Sequence, residues 1–254
     1  MAIRKLLASM GIGNAKVDTV LNHDELYPGT QVEGEVRIQG GDVAQDIDRI
    51  SFDLVTVAQD ESRDGEPHDH ALIARIAISE AMTVDAGAFV AIPFSFTLPI
   101  DTPINSIDGH DLPIPIELHT SLDIAAAIDP RDRDPIRVSP NALQERILKA
   151  MDELGFRLFK SDLEFGHIPG QRLPFYQEIE FYPPPSLSRY MSELELTFVC
   201  RDGSMDVVLE MDKKTRGLAR LAYSSVDEIR GFTIDYNDDW EQEDWESVIE
   251  LHLR

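Results

Sequence analysis

The sequence predicts a mainly β protein built from two antiparallel β-sandwich domains, with a short helix opening the second domain and another at the C-terminus. Three observations carry that prediction. The first half is a succession of short alternating apolar and polar runs separated by polar turns. No segment of that half sustains a helical repeat. The 254 residues, 43% of them hydrophobic, suffice for two ordinary cores.

Taken in order, Val17, Thr19 and Leu21 alternate with Asp18, Val20 and Asn22 as a first strand, and Tyr27, Pro28 and Gly29 make a turn. Val32, Gly34, Val36 and Ile38 alternate with Glu33, Glu35 and Arg37, the period-two pattern of a half-buried strand, which stops at Gly40 and Gly41. Ile47, Ile50, Phe52, Leu54 and Val57 mark a third strand; residues 72–84, 89–98 and 114–128 supply three more. Residues 129–140, DPRDRDPIRVSP, pack three prolines and six charges into twelve positions. That composition resists helix and central strand and reads as a linker, which divides the chain into domains 1–128 and 129–254.

Ser139 and Pro140 suit a helix N-cap and first helical position. Leu143, Ile147, Leu148, Met151 and Leu154 then fall at helical spacing before Gly155. Strands follow at residues 156–165, 176–182, 194–200 and 205–211, the last two joined by Asp202 and Gly203, a type I′ hairpin signal. Residues 218–223 and 231–236 extend the sheet. Residues 240–253 predict a closing helix with Trp245, Val248, Ile249 and His252 on one face.

Composition excludes several functions. Asp and Glu number 47 against 23 Lys and Arg, a formal net charge of -24, which repels phosphate backbones and argues against nucleic-acid binding. The same charge serves either solubility or docking of a basic partner. No run approaches the roughly 18 apolar residues of a membrane span, so integral insertion is not expected, which leaves peripheral association. The single cysteine, Cys200, cannot form an internal disulfide, and a chain of this size without disulfides points to a reducing, cytoplasmic compartment. The opening residues mimic a secretory signal, but Gly11 and Gly13 break the apolar run and a strand begins directly after it.

Residues 60–70, DESRDGEPHDH, set His68 and His70 two apart with Asp64, Glu66 and Asp69 nearby, donors that suit a divalent metal. The same polarity is that of a solvated hairpin tip. Asp235, Asn237, Asp239, Glu243 and Glu246 occupy positions 1, 3, 5, 9 and 12 of an EF-hand-like frame. That frame has Trp240 where glycine is needed and a strand pattern where a helix should precede it. No G-x-S-x-G, H-E-x-x-H or Walker loop is present, and Cys200 sits in the apolar strand LTFVC, so no catalytic residue and no cofactor is assigned. For partner contact the sequence offers Ile3, Leu6, Leu7 and Met10 on a short amphipathic turn, and Trp240 and Trp245 as aromatic anchors.

The run KLLASMGIGNAKVDTVL, then YPGTQVEGEVRIQGGDVAQDIDRISFDLVT, IPFSFTLPIDTPI, SLDIAAAIDPRDRDPIRVSP and LGFRL, resembles the bacterial sporulation-control proteins of the arrestin-like superfamily. The resemblance spans the first domain and the linker and weakens after about residue 170. It implies two arrestin-like sandwiches joined by a short hinge and a regulatory or scaffolding role without enzymatic activity or obligatory cofactor. The phosphate-sensing of eukaryotic arrestins does not carry over, because no Lys or Arg cluster is present to perform it. The expectation is a cytoplasmic, non-enzymatic protein that binds other proteins, a second copy of itself among the candidates. The alternative is a regulator responsive to a divalent metal.

Overall fold

Alternation of apolar and polar residues becomes strands over most of the chain. In the computed structural model, residues 15–59, 68–124, 129–213 and 226–254 are described. The first strands are β1 (Lys16–Leu21), β2 (Glu25–Leu26), β3 (Gln31–Gln39), β4 (Gln45–Gln59), β5 (His68–Ser79), β6 (Met82–Val84) and β7 (Phe89–Thr97). Next come β8 (Ser106–Ile107), β9 (His110–Asp111), β10 (Ile116–Ile124), β11 (Arg131–Pro135) and β12 (Arg137–Val138). Helix α1 (Ala142–Glu153) precedes β13 (Arg157–Phe165), β14 (Phe175–Tyr182), β15 (Met191–Cys200), β16 (Ser204–Lys213) and β17 (Val226–Asp235). A 3₁₀ turn at Trp240–Gln242 and helix α2 (Trp245–His252) follow. Contacts divide the chain into one unit of residues 1–57, 70–99 and 115–138 and another of residues 58–69, 100–114 and 139–254.

In the first unit β3 lies between β1 and β7, and β4 pairs with β10 on one side and with β5 and β6 on the other. The odd-even pattern turns Val32, Val36 and Ile38 of β3 and Ile50, Phe52 and Leu54 of β4 inward, all within 1% of full burial. Phe52 meets Phe94 edge-on at 4.7 Å. Gly34 is where a side chain does not fit: a Cβ there would stand 2.3 Å from the Val20 carbonyl and 2.7 Å from the Phe94 ring.

The proline- and charge-rich stretch expected as a linker is instead strand, since β11 pairs antiparallel with β10 from Glu117↔Pro135 to Ser121↔Arg131. Its composition fits an outer strand, where a missing N–H and alternate charged side chains face solvent. β12 then pairs parallel with β2. Residues 72–84, expected as one strand, are divided between β5 and β6, and residues 125–128 and 218–223 lie outside those described.

Helix α1 forms where predicted, but its cap is Asn141 rather than Ser139. Asn141 accepts the N–H groups of Leu143 and Gln144, while the Gln144 side chain reaches back to the Asn141 N–H, a reciprocal capping box. Leu143, Ile147, Leu148 and Met151 are buried, and Gly155 at φ 84° ends the helix. Neither Asp202 nor Gly203 has positive φ, so the β15–β16 connection is not type I′, although Arg201 N–H donates to Ser204 O at 2.9 Å across the same two residues. The I′ signature sits at Asp108 (φ 50°) and Gly109 (φ 76°), between β8 and β9.

In the second unit β13 to β17 run as consecutive antiparallel neighbours, and Gln59 at the end of β4 pairs parallel with Glu164. One face presents Leu194, Leu196, Val207, Leu209 and Ile234 as core, with α1 and α2 packed against each other. The opposite face presents the alternate residues, among them Glu195 of β15 and Asp206 and Glu210 of β16, beside Thr197, Val199 and Val208.

Candidate functional site

The end of β17 builds a groove. Asp235 Oδ1 accepts the N–H of Asn237 at 2.8 Å and its Nδ2 at 2.9 Å, turning the chain into the 3₁₀ segment that carries Trp240. Asp244 caps α2 by accepting the Ser247 N–H and hydroxyl, and these bonds hold its carboxyl below the usual range. Trp245 Nε1 donates to the Trp240 carbonyl at 3.0 Å, tying the two tryptophans together. The Trp245 ring is 7% exposed and lies parallel to Phe232 at 6.0 Å, while Trp240 stays half-buried. The groove has a volume of about 510 Å³, with Phe232, Trp240 and Trp245 as aromatic lining and exposed Asp238, Asp239 and Glu243 as carboxylates.

The EF-hand-like frame is spread over three engagements. Asp235 holds Asn237, Asp239 and Glu243 line the groove, and Glu246 shares a carboxyl hydrogen bond with Glu153 of α1 that raises Glu246 and lowers Glu153. A strand precedes the frame and Trp240 takes its glycine position, so the oxygens do not wrap one point. His70 is exposed on β5; the His68 side chain, residues 60–67, and Ile3, Leu6, Leu7 and Met10 lie outside the described residues.

A second constellation, which sequence reading missed, lies on the outer face of the β13–β17 sheet. Pairing sets Asp162 opposite Glu178 and Lys160 opposite Glu180. It then sets Glu180 opposite Glu195, and Glu195 opposite Glu210. Lys160 Nζ stands 2.8 Å from Asp162 Oδ2 and 2.7 Å from Glu180 Oε1; burial works against this ammonium, but the two carboxylates outweigh it and raise its pKa. Asp162 is 6% exposed; its Oδ2 faces Lys160 as an ion pair, and its Oδ1 accepts no hydrogen bond.

Carboxylate oxygens of Asp162, Glu164 and Glu178 lie within 4.8 Å of one another. Burial, then the charges of Glu164 and Glu195 and a carboxyl hydrogen bond to Glu164, push Glu178 up to about 9. Burial beside Glu210 and Glu180 lifts Glu195 to about 7. Tyr176 donates its hydroxyl to Glu164 at 3.3 Å.

Cys200 is buried, and desolvation pushes its thiol up to about 12, which removes its nucleophilic form at neutral pH. Among the described residues, no helix is long and apolar enough to cross a membrane.

The known proteins that the chain resembles agree with this architecture. A crystal structure of Spo0M, the sporulation control protein of Bacillus subtilis, superposes with a TM-score of 0.81 at 32% identity, covering 94% of this chain and 98% of that one. In sequence, the sporulation-control protein spo0M of Bacillus subtilis (strain 168) is 40% identical over 216 residues, 85% of this chain and 82% of the relative. The family described as SpoOM protein matches residues 3–215. The groove residues from Phe232 to Glu243 fall beyond that matched segment, whereas the acidic cluster on β13 and β14 falls inside it. With residues 3–215 of this chain matching the family and the fold shared with a member, the chain belongs to the SpoOM protein family.

Proposed function

We propose that the protein is a non-enzymatic regulator of the kind its relative's name describes, sporulation control, and that it works in the cytoplasm by binding a basic segment of a partner protein. The observation that carries this reading is the groove joining Trp240 and Trp245 to Asp238, Asp239 and Glu243. The half-buried Trp240 indole offers a face that attracts a Lys or Arg cation by about 0.5–2 kcal/mol, and the carboxylates beside it add a charged acceptor. Tryptophan is the residue type most concentrated at binding hot spots, and the groove's volume suits one or two inserted side chains. The net charge of -24 steers a basic partner toward the surface.

Affinity capture from the native host at low and moderate salt tests this, comparing the intact chain with Trp240→Ala and with the pair Asp239→Asn and Glu243→Gln. The reading expects a partner that survives moderate salt with the intact chain and is lost with both variants. Capture that is identical for all three proteins contradicts the groove, and turnover abolished by a single substitution contradicts the non-enzymatic assignment.

A further inference from the structure

We propose that Asp162, Glu164 and Glu178 form a binding site for a hard divalent cation of the Mn²⁺, Mg²⁺ or Ca²⁺ class. Three carboxylates bring oxygens within 4.8 Å of one another, a spacing that a single ion with metal–oxygen distances of about 2.0–2.5 Å spans. Oxygen-only donors favour hard cations over zinc. The independent observation is Asp162: at 6% exposure, its Oδ1 is buried and accepts no hydrogen bond, an arrangement that costs free energy until a donor or cation occupies it. Lys160 pairs with Oδ2, which orients the carboxylate and leaves Oδ1 without a donor. Tyr176 fixes Glu164 in the same way, by its hydroxyl.

The charged and polar groups facing the site are Lys160 on β13, Tyr176 and Glu180 on β14, Glu195 on β15 and Glu210 on β16.

The site is independent of the tryptophan groove, and its test uses the intact chain. Melting is followed at pH 7.5 in chelator, in MnCl₂, MgCl₂ or CaCl₂, and in NaCl at matched ionic strength. The proposal expects at least one of these cations to raise Tm saturably, by about 5 °C or more over matched NaCl at hundredfold excess over Kd. Glu178→Gln and Asp162→Asn each abolish that rise, and Glu195→Gln retains it. Calorimetry with the same cation should give a saturable isotherm for the intact chain and none for Glu178→Gln. Circular dichroism of both ligand variants confirms that they fold. A rise no larger than that in matched NaCl, or one undiminished in both ligand variants, overturns the proposal.

Discussion

Glu178→Gln, measured in chelator, is expected to raise the free energy of unfolding at pH 7 by about 2 kcal/mol. The folded carboxyl titrates near 9 against an ordinary value of 4.5, because burial beside Glu164 and Glu195 disfavours its charge. Below pH 4.5 both states hold the proton and the shift has no effect on stability. Between 4.5 and 9 the folded state alone holds it, so stability falls by about 1.4 kcal/mol per pH unit. From 4.5 to 7 this gives an upper bound of about 3.4 kcal/mol, which solvent screening of the partly buried carboxyl reduces to about 2. Glutamine keeps the shape and donates to Glu164 without having to take up a proton. Urea unfolding of both proteins at pH 5, 7 and 8.5 is the assay. A stability gap that widens with pH supports the argument; a gap that is constant, or a variant less stable at every pH, refutes it. This substitution also removes a ligand of the proposed cation site, so one change stabilises the metal-free protein and abolishes its response to the ion.

Three other outcomes follow from the packing. Asn141→Ala removes the oxygen that accepts the Leu143 and Gln144 N–H groups and should cost about 1 kcal/mol in denaturant unfolding, with Asn141→Ser close to neutral. Gly34→Ala forces a Cβ against the Val20 carbonyl and the Phe94 ring and should lower stability by about 1–3 kcal/mol, read as a drop in Tm. Cys200, buried and with its thiol pushed up to about 12, should resist a disulfide reagent at pH 8 in the folded protein and react fully in urea; fast labelling of the native state would contradict the burial.

Strand alternation was legible because burying one face imposes it locally, as in Val32 to Ile38 and Ile50 to Leu54. Arg131–Pro135 was not, since prolines and charges that exclude a central strand are compatible with an outer one, and only pairing with β10 separates an outer strand from a linker. Asp-Gly at 202–203 and at 108–109 carries the same local signal, yet only the second pair takes the positive φ at both residues that type I′ requires. The α1 cap was within reach: Asn141 followed three residues later by Gln144 is the capping-box spacing, obscured by the proline at 140.

Trp240 and Trp245 were visible as anchors, but the third wall of their groove, Phe232, depends on β17 packing beside α2. The acidic cluster was not visible. Asp162 and Glu164 alternate in β13 as Glu178 and Glu180 do in β14, yet a shift of one residue would turn either pair to the other face, and register is a tertiary property.

The most direct test of the proposed function is to place a photo-crosslinking amino acid at position 240, and at exposed Tyr27 as a control, in the full-length chain inside its native host. The crosslinked peptides are then sequenced. The account predicts that position 240 captures one recurrent partner segment with Lys or Arg at or beside the crosslinked residue, and that position 27 does not. Capture at position 240 of neutral or acidic segments only, or of the same proteins as position 27, would contradict it.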